Sequence, residues 1–563
     1  MGDAMKNDLR MNIAERRLSY EGKYDELIFD PDRILEYNHR HKAALANYDL
    51  SLTSCRILNL CDRINDRSNL GVLRNRKVRQ SVILSAALSA VGVSLHGRGS
   101  LNKIPKEQQT SNITDRLKRN NDRTSAQIMS EILQTTTEGL PVGEEILIES
   151  AITEGVRSKP GKEAGGNPTI AVGALFGKEK HCDIYGLDMP RNVTLLSMGN
   201  DVIDGTGKSV KGLHSSLTAL FITEANLKRH LPDIYVQRWV SGRNFKKFNP
   251  REVDLLDAAK IIADSYGYPG IEKLSAFFLD RPRHYPAMDI LNNAGVSTPF
   301  DKDGDLMPAV VMGMNELRFP DKRDLSSMIG EIGGSAEWAV GVLPLVWRGG
   351  QAIGMLTSQS ALSRKDLDAE QKWKQRFNFT EEEFILIQDA RFERKPYFTI
   401  WDILDDPFAG GISAFGAITD NYYLPFMKGV VANPENGQVD VSVLAVNSLG
   451  VVECWLMAFK CNHALEQTAK SMLSPKEDLE KLSGAQLEQA IGKMLEGEYS
   501  RKRFRIFFNN EYYPALIPVQ NKMVLLHNAV DSLIERGALD ECDREIIAIT
   551  ERLAKEWFIN SDK

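Results

Sequence analysis

Apolar and polar positions change their rhythm twice along the chain, and the changes divide it into three regions. Over residues 1–105 the rhythm is helical: Leu45, Leu52, Ile57 and Leu60 recur at roughly helical spacing and predict a long helix over Arg40–Ile64. The most apolar stretch, Ser81–Leu95, follows basic residues at Arg74, Arg76, Lys77 and Arg79 that read as a solvated helix end. It falls short of the ~20 mostly apolar residues that a spanning helix needs, and it contains serines, so it predicts a buried helix. From 106 to 465, short apolar runs alternate with Gly/Asp turns and amphipathic segments. Strands are predicted at EEILIES, YGLDM, NVTLLSMG, TALFITE, LSAFFLD, MPAVVMG, GQAIGMLT, DVSVLAVN and VECWLMAFK. Helices are predicted at RTSAQIMSEILQ, VDLLDAAKIIADSYG and AMDILNNAG, and a hairpin turn at Asn447–Gly450. From 466 to 563 apolar residues return to i, i+3, i+4 spacing in a charged background, interrupted by one strand-like run, KRFRIFFNN.

Strands interleaved with helices predict a layered α/β (α+β) fold over 106–465, in two subdomains of about 106–250 and 251–465. Helical extensions are expected on either side, at 1–105 and 466–563. The apolar stripes of the extensions must be covered, and docking on the central region with formation of a homo-oligomer would cover them.

Composition changes this picture little. The 563 residues are 42% hydrophobic and 26% charged, and 70 basic against 76 acidic residues leave a net charge of -6. That balance gives no reason to expect nucleic acid or a membrane as partner. The six cysteines form no CxxC pair and no zinc spacing, and the polar N-terminus is not a signal peptide, so a reduced, cytoplasmic protein is expected.

Candidate chemistry begins at Asp201-Val202-Ile203-Asp204-Gly205-Thr206-Gly207. An apolar run ends at Gly199, and two carboxylates follow, three residues apart across a turn. Such a pair can hold hard divalent cations through oxygen, and the Gly205-Thr206 turn offers N–H donors and a hydroxyl to a phosphate. An Asx-rich surface turn has the same pattern. Further along stand Leu231-Pro232-Asp233-Ile234-Tyr235, Leu279-Asp280-Arg281-Pro282-Arg283-His284, Asp303-Gly304-Asp305 and Ile332-Gly333-Gly334-Ser335-Ala336-Glu337. Arg281 and Arg283 could clamp a phosphate bidentately.

These five elements, in this order, resemble those of the class II fructose-1,6-bisphosphatases, within the lithium-sensitive phosphatase superfamily. Valine stands where the superfamily signature D-P-(I/L)-(D/E)-G-(T/S) has proline. The resemblance implies a phosphoric monoester hydrolase that releases phosphate from a sugar bisphosphate, by default fructose 1,6-bisphosphate. Two or three Mg²⁺ or Mn²⁺ ions would be held by Asp122, Glu149, Asp201, Asp204 and Glu337. Thr206, with Lys118 and Asp201, would serve catalysis. Asp204, Gly205, Thr206, Tyr235, Arg281, Pro282, Arg283, Asp303, Gly304, Asp305 and Gly334 would bind the substrate. Asp122 enters through Lys118-Arg119-Asn120-Asn121-Asp122, which resembles K-N-x-x-D and could equally cap the helix after it. Glu149 enters through Ile146–Ala151, placed against the family's G-E-G-E, whose second glutamate then falls on Ala151. A Gly/Lys-rich insertion follows at Ser158–Asn167, a surface loop or a lid. These departures leave two alternatives standing: a cyclitol or other sugar phosphate as substrate, or a scaffold that has lost catalysis.

Overall fold

The computed structural model describes residues 25–64, 70–155, 167–170, 172–178, 181, 192–228, 231, 235–314, 325–356 and 397–472, with single residues at 485, 489 and 535. The expected strands YGLDM and KRFRIFFNN, residues 158–166 of the insertion, and nearly all of the C-terminal region lie outside the described residues.

The chain first lays down β1 (Asp25–Ile28), β2 (Leu50–Cys61), β3 (Ile146–Thr153), β4 (Leu175–Phe176), β5 (Thr194–Asp204) and β6 (Leu217–Thr223). It then builds β7 (Tyr235–Ser241), the short pair β8 (Phe278–Leu279) and β9 (Phe300–Asp301), β10 (Ser327–Gly334) and β11 (Gln351–Leu356). It ends with β12 (Gly411–Ala417), β13 (Val431–Asn433), β14 (Gln438–Asn447) and β15 (Val452–Cys461). One large sheet runs in the order β1-β2-β15-β14-β12-β6-β5-β3-β4, with β13 on β14, and a second in the order β10-β7-β11. β14 and β15 form the hairpin expected around Asn447–Gly450.

Alternation of side chains along the strands gives the large sheet two apolar faces. Leu196, Met198, Leu220, Ile222, Ile412 and Ala414 face helices α2 (Arg76–His96) and α3 (Ser111–Glu138). Ala219, Phe221, Phe415, Leu444 and Val446 face helices α7 (Leu306–Met312) and α8 (Ser335–Trp347). The other face of the small sheet is covered by α5 (Leu255–Ser265) and α6 (Tyr285–Asn293) through Trp239, Ile329, Ile262 and Leu291. The layers therefore alternate helix, sheet, helix, sheet, helix, the layered fold expected from the sequence. Short helices α1 (Pro31–Arg40) and α4 (Thr206–Lys211) complete the numbering, with α9 (Leu465–Ser471) after β15.

Two expectations are corrected. Arg40–Ile64 is not one helix: it contains the twelve-residue strand β2, paired along its length with β15. Leu50, Leu52, Leu58 and Leu60 alternate with polar residues, and the β-branched Thr53 and Ile57 between them favour a strand over a helix. The N-terminal region is thus built into the large sheet rather than docked on its outside. MPAVVMG is helix α7, not a strand. It lies between the two sheets and is apolar all round, so no period distinguishes the two readings. Helix α2 is long and apolar enough to cross a membrane by composition, yet 83% of its apolar window is buried inside the fold, as expected of a core helix.

Candidate metal and phosphate site

The site forms where the C-terminal ends of β3 and β5 meet helix α3 and the turn from β10 into α8. The pairing of β5 with β6 runs Asp201↔Ala219 and then Asp204↔Leu217, three steps on one strand against two on the other. The extra residue is a bulge, and it re-aims the end of β5, so that Asp201 and Asp204 do not simply alternate across the sheet. The Asp201 carboxylate accepts a hydrogen bond from Ile203 N at 3.1 Å, which fixes the turn. Gly205 follows at φ 78°, in the left-handed region that a side chain disfavours, and it starts helix α4 at Thr206.

Helix α3 brings Lys118 and Asp122 to one face, one turn apart. Asp122 lies inside this helix and is buried; the cap is Thr110, so the capping alternative for Asp122 is removed. Thr206 Oγ1 lies 3.1 Å from Asp122 Oδ1 and 3.0 Å from Ile203 O. Lys118 Nζ lies 3.7 Å from where a Cβ on Gly207 would stand, which places the ammonium beside the same turn. Across the gap, Gly334 caps helix α8, and Glu337 sits in the first turn of that helix, where the dipole favours a negative charge. A Cβ on Gly334 would overlap the Glu337 carboxylate, so only glycine leaves that carboxylate its place.

Glu149 is not part of this group. Its register partner on β5 is Ser197, four residues before Asp201, or about 13 Å along a strand. The residue that β3 delivers is Glu154, which follows the pair Thr153↔Asn200 and whose N–H donates to Asn200 O at 3.2 Å. Glu154 therefore stands at this end of the strand, where the sequence pattern points to Glu149. The signal was available as Glu-Gly at the end of the strand-like run, but choosing it required the strand register.

Burial pushes the Asp201 carboxyl well above the ordinary carboxylate range, and Glu154, Asp204, Glu337 and Asp122 push it further. Burial, with Glu154 next, raises Asp122 to about 8. Asp204 is raised by burial and by Asp305, against the pull of Lys208. Asp122, Glu154, Asp201 and Glu337 are thus like charges within electrostatic range, in a partly dry setting that a cation or protons must neutralise. Among the described residues, no three His, Cys, Asp or Glu side chains stand at metal-ligand distances from a common point. The donor chemistry itself, several buried carboxylates and no thiolate or imidazole, fits a hard divalent cation.

The second half of the site hangs on Asp303-Gly304-Asp305. Asp204 accepts hydrogen bonds from Asp305 N and Leu306 N, both at 3.3 Å. Asp303 accepts from Gly207 N at 3.1 Å and pairs with Arg281 at 3.4 Å, so it ties the Gly205-Thr206-Gly207 turn to the basic element. Gly304, at φ 79°, is a position where a side chain would crowd the Asp204 carboxylate. Arg283 donates to Ile332 O from Nε and Nη2, at 3.1 and 2.7 Å, and its guanidinium lies 4.7 Å over the ring of Tyr235, the first residue of β7. Pro282, exposed, starts the turn Pro282–His284, which ends on the buried His284. Tyr235 and Gly334 are register partners, so substrate candidates from β7 and β10 share one end of the small sheet with Glu337.

Asp305 departs from its expected role. Its side chain is buried, with Oδ2 bonded to Arg238, while its backbone N–H donates to Asp204. Arg238, Glu331 and Lys208 escaped the sequence reading. Lys208 is buried and bridges to Asp301 at 2.6 Å behind the Asp204 turn.

Residues 192–393 match the family model described as bacterial fructose-1,6-bisphosphatase, glpX-encoded. Among curated proteins the chain is 26% identical over 198 residues to a D-fructose 1,6-bisphosphatase class 2/sedoheptulose 1,7-bisphosphatase of Synechococcus sp. (strain JA-2-3B'a(2-13)). That alignment covers 34% of this chain and 52% of the relative. It is also 27% identical over 117 residues to a fructose-1,6-bisphosphatase class 2 of Haemophilus influenzae, covering 21% of this chain and 35% of that protein. The chain spans about half the length of the first of these relatives. The resemblance to class II fructose-1,6-bisphosphatases holds over residues that include Asp201, Thr206, Arg283 and Glu337, whereas Lys118, Asp122 and Glu154 lie before the matched residues and reach the site through the fold.

Proposed function

We propose that the protein hydrolyses a phosphate monoester of a sugar bisphosphate, with fructose 1,6-bisphosphate as the default substrate and sedoheptulose 1,7-bisphosphate next. The observation that carries this reading is the Asp201–Gly207 turn, where Thr206 Oγ1 lies 3.1 Å from the buried Asp122 carboxylate and Asp201 stands within electrostatic range of Glu154, Glu337 and Asp122. These four carboxylates would hold Mg²⁺ or Mn²⁺, in two or three sites with Asp204 as a further ligand. Once bound, such ions supply an activated water and neutralise the phosphoryl charge.

The chain's own residues do the rest. The Gly205 and Thr206 N–H groups and the Lys118 ammonium receive the scissile phosphate. Thr206, anchored by its contact with Ile203 O, orients its hydroxyl beside Asp122 and so directs the attacking water. Arg281 exchanges its partner Asp303 for the distal phosphate, and Arg283, steadied by Ile332 O and the Tyr235 face, completes the clamp. Asp303, about a third exposed, is left to a sugar hydroxyl. The departure from G-E-G-E keeps a cyclitol or other sugar phosphate open as substrate. The gathered carboxylates speak against an inactive scaffold.

The test is phosphate release from a panel of sugar and cyclitol mono- and bisphosphates by the wild type, Arg281→Ala and Arg283→Ala. A charge-assisted hydrogen bond is worth about 1.5–3 kcal/mol, so KM for the bisphosphate should rise roughly ten- to hundredfold, with monophosphates much less affected. Equal losses on both classes would remove the distal-phosphate role.

A further inference from the structure

Beneath the Asp303-Gly304-Asp305 turn lies a second set of charges, buried and outside the carboxylate group. Arg238, on β7, is 2% exposed; its Nε bonds Glu331 and its Nη2 bonds Asp305. Glu331 is the register partner of Arg238 on β10, and a bulge at Gly330, φ 73°, brings it opposite. A Cβ on Gly333 would overlap Arg238 Nη2 and stand 2.5 Å from Asp305 Oδ2, so glycine at that position gives the guanidinium its room. His284 closes the far side: its Nδ1–H donates to Leu279 O at 2.6 Å, Ile332 N donates to its Nε2 at 2.9 Å, and Glu331 Oε1 is 3.6 Å away. The guanidinium therefore joins the small sheet to the turn that grips Asp204, and Glu331 carries the set on to His284 at the base of the Arg281–Arg283 turn.

We propose that Arg238 is a positioning residue for the metal site: by holding the Asp305 side chain it sets the Asp305 and Leu306 N–H groups that fix both oxygens of Asp204. The inference rests on the phosphatase reading above. A buried ion set of this kind is a poor device for stability alone, because apolar side chains of similar volume serve as well or better. It is a good device for orientation. A planar guanidinium presents nitrogens in fixed directions to carboxylates on two different elements, which a lysine's single ammonium does not reproduce. Groups that orient a metal ligand from behind typically change metal affinity 10- to 100-fold when removed.

Full-length Arg238→Lys and Glu331→Gln test this through three readouts: thermal unfolding, Mn²⁺ binding by electron paramagnetic resonance, and KM against kcat for fructose 1,6-bisphosphate. Arg238→Lys is expected to weaken Mn²⁺ binding and lower kcat, each about tenfold or more, with KM within about threefold. Glu331→Gln keeps the Arg238–Asp305 bond and is expected to stay within about threefold of wild type in Mn²⁺ affinity. Gly333→Ala, which displaces the guanidinium without removing its charge, should repeat the Arg238→Lys shift and serves if that variant does not fold. Wild-type Mn²⁺ affinity and kcat in a less stable Arg238→Lys would overturn the proposal alone. A wild-type protein that neither binds Mn²⁺ nor releases phosphate would overturn the phosphatase reading and the proposal with it.

Discussion

Asp122 shows how far single residues are set by their surroundings. Its carboxyl is raised from about 4 to about 8 by burial and then by Glu154, so between those pH values the folded protein keeps a proton that the unfolded chain has lost. Stability of the metal-free protein must then fall as pH rises through that window, by up to about 1.4 kcal/mol per unit for this one group. Asp201 and Asp204 are raised too and act in the same direction. A divalent cation competes with those protons, so its stabilisation should grow with pH. Thermal unfolding from pH 5 to 8.5, with EDTA and with Mn²⁺, checks both: the metal-free Tm should fall and the Mn²⁺ increment widen. A metal-free Tm that rises over this range would show that the carboxylates do not stand together. At this scale the sequence was most legible where chemistry is local. Asp201, Asp204, Thr206 and Glu337 sit in short motifs with their glycines, and the structure gives those glycines reasons: Gly334 makes room for Glu337, and Gly333 for Arg238. Glu154 was not legible, because nothing within β3 says which of two glutamates ends beside Asp201 until the register to β5 is known.

Among elements, β2 carries the largest revision. It supplies Leu50, Leu52, Ile57, Leu58 and Leu60 to the core and hydrogen-bonds along β15. Burying one such side chain is worth about 1.5–3 kcal/mol, so five together rival the whole stability of a domain, about 5–15 kcal/mol. A chain that begins after residue 62 should therefore be insoluble or lack a cooperative unfolding transition, by circular dichroism and light scattering. A soluble truncated protein with the wild-type Tm would show instead that the N-terminal region is an added layer. The helical reading failed here because a few leucines at mixed spacing satisfy two periods, and only the partner strand, some four hundred positions away in sequence, selects one. MPAVVMG failed for the opposite reason: buried between two sheets, it has no polar face to reveal a period. Helices α5 and α6, with one face on the small sheet, kept their amphipathic pattern and were read correctly.

For the whole molecule, the layers explain why residues scattered over more than two hundred positions meet. β3 and β5 run parallel and end together, α3 crosses beside them, and the turn from β10 into α8 closes the gap from the second sheet. The proposed homo-oligomer and the C-terminal apolar stripes that motivated it lie outside the described residues, and the catalytic account does not lean on them. It leans on a cation held by carboxylates from four elements, and one measurement addresses that directly: phosphate release from fructose 1,6-bisphosphate by wild type and Asp201→Asn, with Mn²⁺ and with EDTA. The account predicts turnover by the wild type with Mn²⁺, none in EDTA with recovery when Mn²⁺ is restored, and a loss of about a hundredfold or more in the folded variant. Undiminished turnover in EDTA, or by Asp201→Asn, would contradict it.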